Sequence, residues 1–155
     1  MSETEAPKAG GRPVSPRRRS RQLAVQMLYA WLLNPREALP IREEARLDED
    51  FRNLNAALFD RLIDGVISHV DSLRETLQPL LDRPVAELSP VEHAILLVGA
   101  EELIHHVETP YRVIINEAIE LAKTYGGTDG HKYVNGVLDR VAISVRPDEV
   151  RPRRD

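Results

Sequence analysis

Apolar residues recur at three- and four-residue steps along most of the chain, the spacing that places them on one face of an α-helix. The clearest stretch is 111–125, whose apolar positions are Tyr111, Ile114, Ile115, Ala118, Leu121, Ala122 and Tyr125. Charged and amide residues fill most of the positions between them. The pattern predicts a helix with one buried stripe, with Thr109 as its N-cap and Pro110 at its first position. Gly126 and Gly127 are predicted to end it.

A second helix is predicted directly after this glycine pair, capped by Thr128 or Asp129. Its inner face holds Val134, Val137, Leu138 and Val141. Gly136 lies within that helix, where glycine costs about 1 kcal/mol relative to alanine. We therefore expect a close packing contact at Gly136.

The same spacing predicts further helices upstream, over about 20–33, 51–70 and 91–107. A shorter apolar repeat covers 73–81, where Pro79 is expected to kink or end a helix. The charged stretch between the first two helices, which contains a proline, is predicted to be a loop with at most one short helix. Period-two alternation is never sustained, so the chain is predicted to be all-α, a compact bundle of about six or seven helices.

The helix over 91–107 begins with a recognisable cap. Ser89 is followed by Pro90 and, three positions on, by Glu92, the arrangement of a capping box. The residues behind this cap are apolar over much of the helix circumference, which predicts that the helix is central to the fold. Glu101 and Glu102 interrupt that apolar surface and are expected to lie on a solvated face.

The composition narrows the classes of function. The chain has 155 residues, enough for one domain, and no cysteine. Disulfides, thiolate catalysis and cysteine-based zinc sites are therefore excluded, and the absence of cysteine fits a reducing cytosol. We expect neither a membrane span nor a signal peptide, because no apolar run is long enough for a span and the first twenty residues lack an apolar segment.

Charge is distributed unevenly. Residues 1–21 hold six basic and two acidic residues, whereas 22–145 hold eleven basic and twenty acidic ones. A basic arm on an acidic body is typical of a protein that meets a polyanion at one end. Composition also predicts a disordered N-terminal tail over 1–16, a helical domain over 17–145 and a flexible C-terminal tail over 146–155.

The basic arm supplies the first candidate site. Its arginines are Arg17, Arg18, Arg19 and Arg21. Guanidinium groups pair with phosphate in a two-pronged geometry and stay charged, so the cluster can act as a phosphate clamp, although a solvated tail is an equally good interpretation of the run alone. Gln26 and Tyr29 on the adjoining helix favour single-stranded RNA, whose exposed bases stack on aromatic rings and bond to amides.

Two segments of the chain are distinctive: RRRSRQLAVQMLYAW, which starts at Arg17, and NEAIELAKTYGGTDGHKYVNGVLDRV, which starts at Asn116. Taken together, they resemble the NusB family of bacterial transcription antitermination factors. The likeness runs from about Arg17 to about Val145 in unbroken order. It implies two small packed helical subdomains in a cytoplasmic, non-enzymatic RNA-binding protein that needs no cofactor. The implied partners are the boxA element of nascent ribosomal RNA, the small-subunit ribosomal protein NusE, other Nus factors and RNA polymerase.

The resemblance also implies roles for individual residues. In the loop after the glycine-ended helix, it assigns RNA contacts to Tyr125, Asp129, Lys132 and Tyr133, whereas the sequence by itself favours a plain helix–helix turn. Asp129 repels phosphate and would tune selectivity through a base edge. Tyr29 and Glu92 are the implied contacts to NusE, a role for Glu92 that is compatible with the capping box.

Other classes of function find less support. His93, His105 and His106 show no metal-binding spacing, because neighbouring helical residues point about 100° apart, so no metal site is predicted. The module also occurs in ribosomal-RNA cytosine methyltransferases, but this chain has no cysteine nucleophile and little room for a methyl-donor domain. A protein-interaction adaptor without an RNA role stays open, as does a homodimer.

Overall fold

The computed structural model describes residues 14–127 and 129–151. Within those ranges the chain forms seven α-helices and no β-strand, which confirms the all-α prediction. The helices are α1 Pro16–Leu33, α2 Ala38–Ala45, α3 Ala56–Leu77, α4 Pro90–His105, α5 Tyr111–Tyr125, α6 Gly130–Val145 and α7 Pro147–Val150. Three short 3₁₀ turns connect them, at Glu49–Asn53, Gln78–Leu80 and Val85–Glu87. No helix in the described part of the chain is long and apolar enough to cross a membrane.

Helix α4 lies at the centre of the molecule. It packs against α1 and α3, which also contact each other, and against the pair formed by α5 and α6. Every residue of α4 from His93 to Leu103 is buried, as expected for a helix that is apolar nearly all round. The two groups of helices share α4 and one continuous hydrophobic core.

Helix α1 begins earlier than its apolar periodicity predicts. The Ser15 hydroxyl accepts a hydrogen bond from the backbone N–H of Arg18 at 3.1 Å, and Pro16 takes the first helical position. Of the predicted disordered tail over 1–16, residues 1–13 lie outside the described part of the chain, whereas Ser15 and Pro16 start the helix. The arginines that follow therefore sit on the first turns of a helix.

The predicted helix over 51–70 and the apolar repeat over 73–81 belong mostly to one helix, α3. The Asn55 side chain caps it by accepting the Leu58 N–H at 3.0 Å, while Phe51 lies in the preceding 3₁₀ turn. At the other end, Pro79 falls in the 3₁₀ turn directly after α3. Pro40 is accommodated in the first turn of α2, where no backbone hydrogen bond is lost.

Two local predictions about the last helices were wrong. A Cβ on Gly136 would meet nothing within 4 Å, so no close contact requires glycine there. The close approach is instead at Gly99 of α4, where a Cβ would lie 2.6 Å from a methyl group of Leu138 on α6. Pro110, and not Thr109, is the N-cap residue of α5, and Thr109 is buried before it.

The first residues of the predicted flexible tail over 146–155 pack against the helical domain. Arg146 is buried, and its guanidinium donates to the backbone carbonyls of Glu102, Leu103, His106 and Thr109 and to the Glu149 carboxylate, at 2.6–3.1 Å. Glu149 in α7 in turn accepts the backbone N–H of Tyr111 at 2.8 Å. Together these bonds tie the carbonyls at and after the end of α4 to α7, and satisfy an N–H at the start of α5. Residues 152–155 lie outside the described part of the chain.

Candidate RNA interface

A hydrogen bond joins the two segments in which RNA contacts are predicted. The Gln26 amide of α1 donates to the Tyr125 hydroxyl at the end of α5, at 2.8 Å. These two side chains line a groove together with Val25, Tyr29 and Val91. The first turn of α4 and the end of α5 therefore lie against the same face of α1. The surface formed by Gln26, Tyr29, Tyr125 and their neighbours is called the α1–α5 face below.

Three arginines of the basic arm reach solvent to different degrees. Arg17 is exposed, and Arg19 is half-buried beside Gln22 and Gln26. Arg18 is also half-buried, because its guanidinium forms a two-pronged ion pair with Glu117 of α5, at 3.0 and 2.9 Å. This pairing raises the pKa of Arg18. A phosphate that binds Arg18 must compete with a carboxylate, whereas Arg17 carries no such pair within the described residues.

Arg21, predicted to bind RNA with the other arginines of the arm, is buried in the structure. Its side chain is 3% exposed, and its guanidinium donates to both carboxylate oxygens of Glu102 at 2.7 and 2.8 Å. Burial alone would lower the pKa of Arg21, but the hydrogen bonds and charge of Glu102 raise it. Arg21 therefore faces the core and holds α1 to α4; it is not positioned to bind phosphate. Glu102, predicted to be solvated, is its buried partner.

The α5–α6 loop presents two charged residues to solvent. Asp129 occupies the N-cap position of α6, yet its side chain makes no capping hydrogen bond. The Asp129 and Lys132 side chains are 75% and 74% exposed and lie 3.7 Å apart. Both charges are available to a ligand, and the carboxylate partly neutralises its neighbour.

Tyr133 is tied to the α3–α4 connection. Its hydroxyl donates to the Asp82 carboxylate at 3.0 Å, and the Arg83 guanidinium lies over its ring, 4.9 Å from the centroid. The hydrogen bonds from Arg83 and Tyr133 lower the pKa of Asp82 to about 2. The predicted stacking face of Tyr133 is thus covered by a cation, and Arg83 becomes a further basic group beside the loop. These partners lie about fifty residues before Tyr133, and no sequence spacing pointed to them.

Of the two predicted partner contacts, Tyr29 belongs to the α1–α5 face and Glu92 follows Val91 at its edge. Tyr29 is 39% exposed, among the larger apolar side chains left open to solvent. Glu92 lies in the first turn of α4, where the Ser89 hydroxyl accepts its backbone N–H at 3.2 Å; this is the half of the predicted capping box that Ser89 supplies. Its carboxylate also lies against Gly130, the first residue of α6, where a Cβ would come within 3.1 Å. Glu92 therefore places negative charge at two helix N-termini, which favours it electrostatically.

Comparisons with known proteins agree on one family. The profile described as the NusB family matches residues 18–143. Transcription antitermination protein NusB of Ralstonia nicotianae is 52% identical over 155 residues, covering 99% of this chain and 100% of that protein. The protein of the same name from Bordetella pertussis is 54% identical over 146 residues, covering 90% of this chain and 95% of that protein.

Solved structures give the same result. NusB of T. maritima superposes with a TM-score of 0.77 at 30% sequence identity, covering 89% of this chain and 98% of that one. A crystal structure of antitermination factors NusB and NusE in complex with dsRNA contains a chain that superposes with a TM-score of 0.69 at 23% identity, covering 82% of this chain and 96% of that one. This second likeness concerns the fold. With a matching profile over most of its length and full-length relatives above half identity, the chain belongs to the NusB family.

Proposed function

We propose that this protein is an RNA-binding transcription antitermination factor. It binds the boxA element of nascent ribosomal RNA together with the ribosomal protein NusE, and joins other Nus factors on RNA polymerase in the cytoplasm. Curated relatives named transcription antitermination protein NusB support this function, as does a solved complex of NusB, NusE and RNA. The protein acts by holding its partners together and does no chemistry on them.

The hydrogen bond between Gln26 and Tyr125 is the observation that carries the RNA part of the proposal. It brings the arginine-bearing end of the chain and the loop after α5 to one surface, so a single strand can contact both. Arg17 and Arg19 supply charge for phosphates, and the Tyr125 ring supplies a stacking surface for a base. Lys132 adds a further cation at the loop.

The partner contacts lie beside the RNA contacts. Tyr29 and Gln26 line the same groove, and Val91 of that groove precedes Glu92. A partner that docks on Tyr29 and Glu92 would therefore meet the RNA bound to the neighbouring side chains. Two adjoining surfaces of modest affinity give a tight complex, because the second contact forms within an already bound assembly.

A salt series measured with single-stranded boxA-like RNA tests the proposal. The double substitution Arg17→Ala and Arg19→Ala removes two phosphate contacts, so the slope of log affinity against log salt should fall by about 1.4, at roughly 0.7 per single-strand contact. Each titration is run with and without NusE, and the partner should increase RNA affinity in the unmodified protein.

The matched control replaces Arg112 and Arg151 by alanine, which removes the same total charge. Both are exposed, and Arg112 lies at the opposite end of α5 from Tyr125. This control should leave the slope unchanged. An unchanged slope and affinity for the Arg17 and Arg19 double variant would contradict the RNA role and favour an adaptor that binds proteins alone.

A further inference from the structure

Two histidines and a glutamate meet between α3 and α4. His69 comes from α3, and Glu101 and His105 lie one turn apart on α4. The His69 Nδ1 atom is 3.0 Å from Glu101 Oε1, and His105 Nε2 is 3.9 Å from the same oxygen. One ligand atom from each of the three side chains falls within 4.8 Å of the others.

The carboxylate is held in a cradle formed by α3. Glu101 is 2% exposed, and a Cβ on Gly65 would lie 2.1 Å from its Oε2 atom. A side chain at position 65 would require the carboxylate to shift from this place. Glycine inside a helix costs about 1 kcal/mol relative to alanine. Gly65 therefore lowers the stability of α3, and its missing side chain leaves space for the buried Glu101 carboxylate.

No arginine or lysine pairs with this carboxylate within the described residues. Burying an ionised carboxylate is unfavourable unless a cation or several hydrogen bonds accompany it. Within the described residues, the ionic partners of Glu101 are the two imidazoles, whose rings stack with centroids 4.1 Å apart. A divalent cation held by the carboxylate and both imidazole nitrogens would supply positive charge beside the buried carboxylate.

We propose that His69, Glu101 and His105 bind one divalent transition-metal ion of the Zn²⁺ type. Two imidazole nitrogens and one carboxylate oxygen form a donor set that Zn²⁺ uses, with a fourth position left for water. Bonds of about 2.0–2.1 Å place tetrahedral ligands about 3.3 Å apart, between the 3.0 and 3.9 Å separations observed here.

The accessibility of the histidines allows the ion to enter. The His69 and His105 side chains are 40% and 38% exposed, so both rings can turn from their stacked arrangement towards a shared ion while Glu101 stays fixed. The ion would join α3 to α4 and stabilise their packing. No metal site was predicted from the sequence, because only His93, His105 and His106 were considered together. The partners of His105 are instead Glu101, one turn earlier on α4, and His69 on α3.

Direct metal titration of the full chain without a polyhistidine tag tests the site. Zn²⁺ binding is measured by calorimetry, and Co²⁺ is used as a coloured substitute whose visible absorption reports tetrahedral coordination. We expect one ion per chain and a melting temperature that rises with Zn²⁺ concentration, because an ion that binds the folded state stabilises it.

Substitutions separate this site from adventitious binding. His69→Gln and His105→Gln should each abolish the tetrahedral Co²⁺ spectrum and the thermal shift, and Gly65→Ala should do the same by displacing Glu101. His131→Gln, which removes a histidine of α6, should bind as the unmodified protein does. If the unmodified protein binds no more Zn²⁺ than the His69→Gln and His105→Gln variants, the proposal is overturned; both altered side chains are partly exposed, so these variants retain the fold.

Discussion

The Arg21 guanidinium and the Glu102 carboxylate form a buried two-pronged ion pair that connects α1 to α4, with side chains 3% and 2% exposed. Arg21 follows three arginines on the same helix that reach solvent at least in part, so arginines of one segment serve two purposes. Arg17 and Arg19 are available to a ligand, whereas Arg21 holds the helix that carries them. Effects on RNA binding must therefore be separated from effects on folding for each arginine.

Arg21→Met should lower the free energy of unfolding by about 3–5 kcal/mol, because it leaves the Glu102 carboxylate buried without a counter-charge. Arg17→Met, on the same helix but exposed, should change it by less than about 0.5 kcal/mol. Urea denaturation measures both. The double variant Arg21→Met and Glu102→Leu should regain most of the loss, and equal instability of single and double variants would show that the ion pair itself, and not the orphaned charge, is needed.

Arg146→Lys should lower the free energy of unfolding by about 3 kcal/mol, despite keeping the charge. The guanidinium reaches four backbone carbonyls and the Glu149 carboxylate, and a lysine ammonium has three donors on one atom and cannot span them. Arg151→Lys, on an exposed residue, is the control. Thermal melting of both variants would show whether the guanidinium geometry matters.

His93→Gln should weaken the dependence of stability on pH between about 4 and 6.5. Burial, followed by the neighbouring charge of Arg74, lowers the pKa of His93 to about 4. Between about pH 6.5 and pH 4, His93 is therefore protonated in the unfolded chain but neutral in the folded chain. The stability due to neutral His93 is lost as the pH falls through this range.

The slope of unfolding free energy against pH in that window should drop by up to about 1.4 kcal/mol per pH unit in the His93→Gln variant. Glutamine can still accept the hydrogen bond that the Arg74 side chain donates to His93 at 3.2 Å. Denaturant titrations at several pH values provide the comparison. Parallel curves for the two proteins would mean that His93 titrates normally in the folded state.

Asp129→Asn should strengthen RNA binding by several-fold, because it removes an exposed negative charge beside Lys132 and leaves the cation unpaired. The α6 cap should be unaffected, since the Asp129 side chain makes no capping bond. Asp139→Asn, an exposed carboxylate further along α6, is the matched control. Unchanged or weaker binding by the Asp129 variant would contradict the expected placement of this carboxylate beside the RNA.

Tyr29→Ala should weaken binding to NusE by about 2 kcal/mol, roughly 30-fold, as is typical of a partly exposed aromatic residue at the centre of an interface. The isolated protein should keep its stability, because the ring lies at the surface. Leu47→Ala removes an apolar side chain that is 84% exposed outside the α1–α5 face and serves as control. Equal affinities for both variants would place the partner surface elsewhere.

The helical periodicity predicted most of the fold, because the buried stripe of each helix follows from the spacing of apolar residues within that segment alone. It could also have identified Arg21, which shares its face with Ala24 and Leu28, three and seven residues on, and is therefore buried with them. Arg21 was instead grouped with the three arginines before it, and its place on the buried face of the helix was overlooked.

Other contacts could not be read from local spacing. The partner of Arg21 lies 81 residues away, and that of Tyr133 lies 51 residues away. Glu101 and Glu102 looked like an ordinary solvated pair, although a helix that is apolar all round leaves no solvated face for them. Pairings of this kind depend on how helices meet, which no single segment encodes.

Glu101 and Glu102 together determine how α4 is turned about its own axis. An almost uniformly apolar cylinder could pack equally well at several angles, since one leucine can replace another against the same neighbour. Adjacent residues point about 100° apart, so one carboxylate meets His69 on α3 while the other meets Arg21 on α1. A different angle would bury both charges among hydrocarbons. This orientation also sets where Val91 and Glu92 emerge at the helix start, so two glutamates in the core position the surface on which we expect the partner to dock.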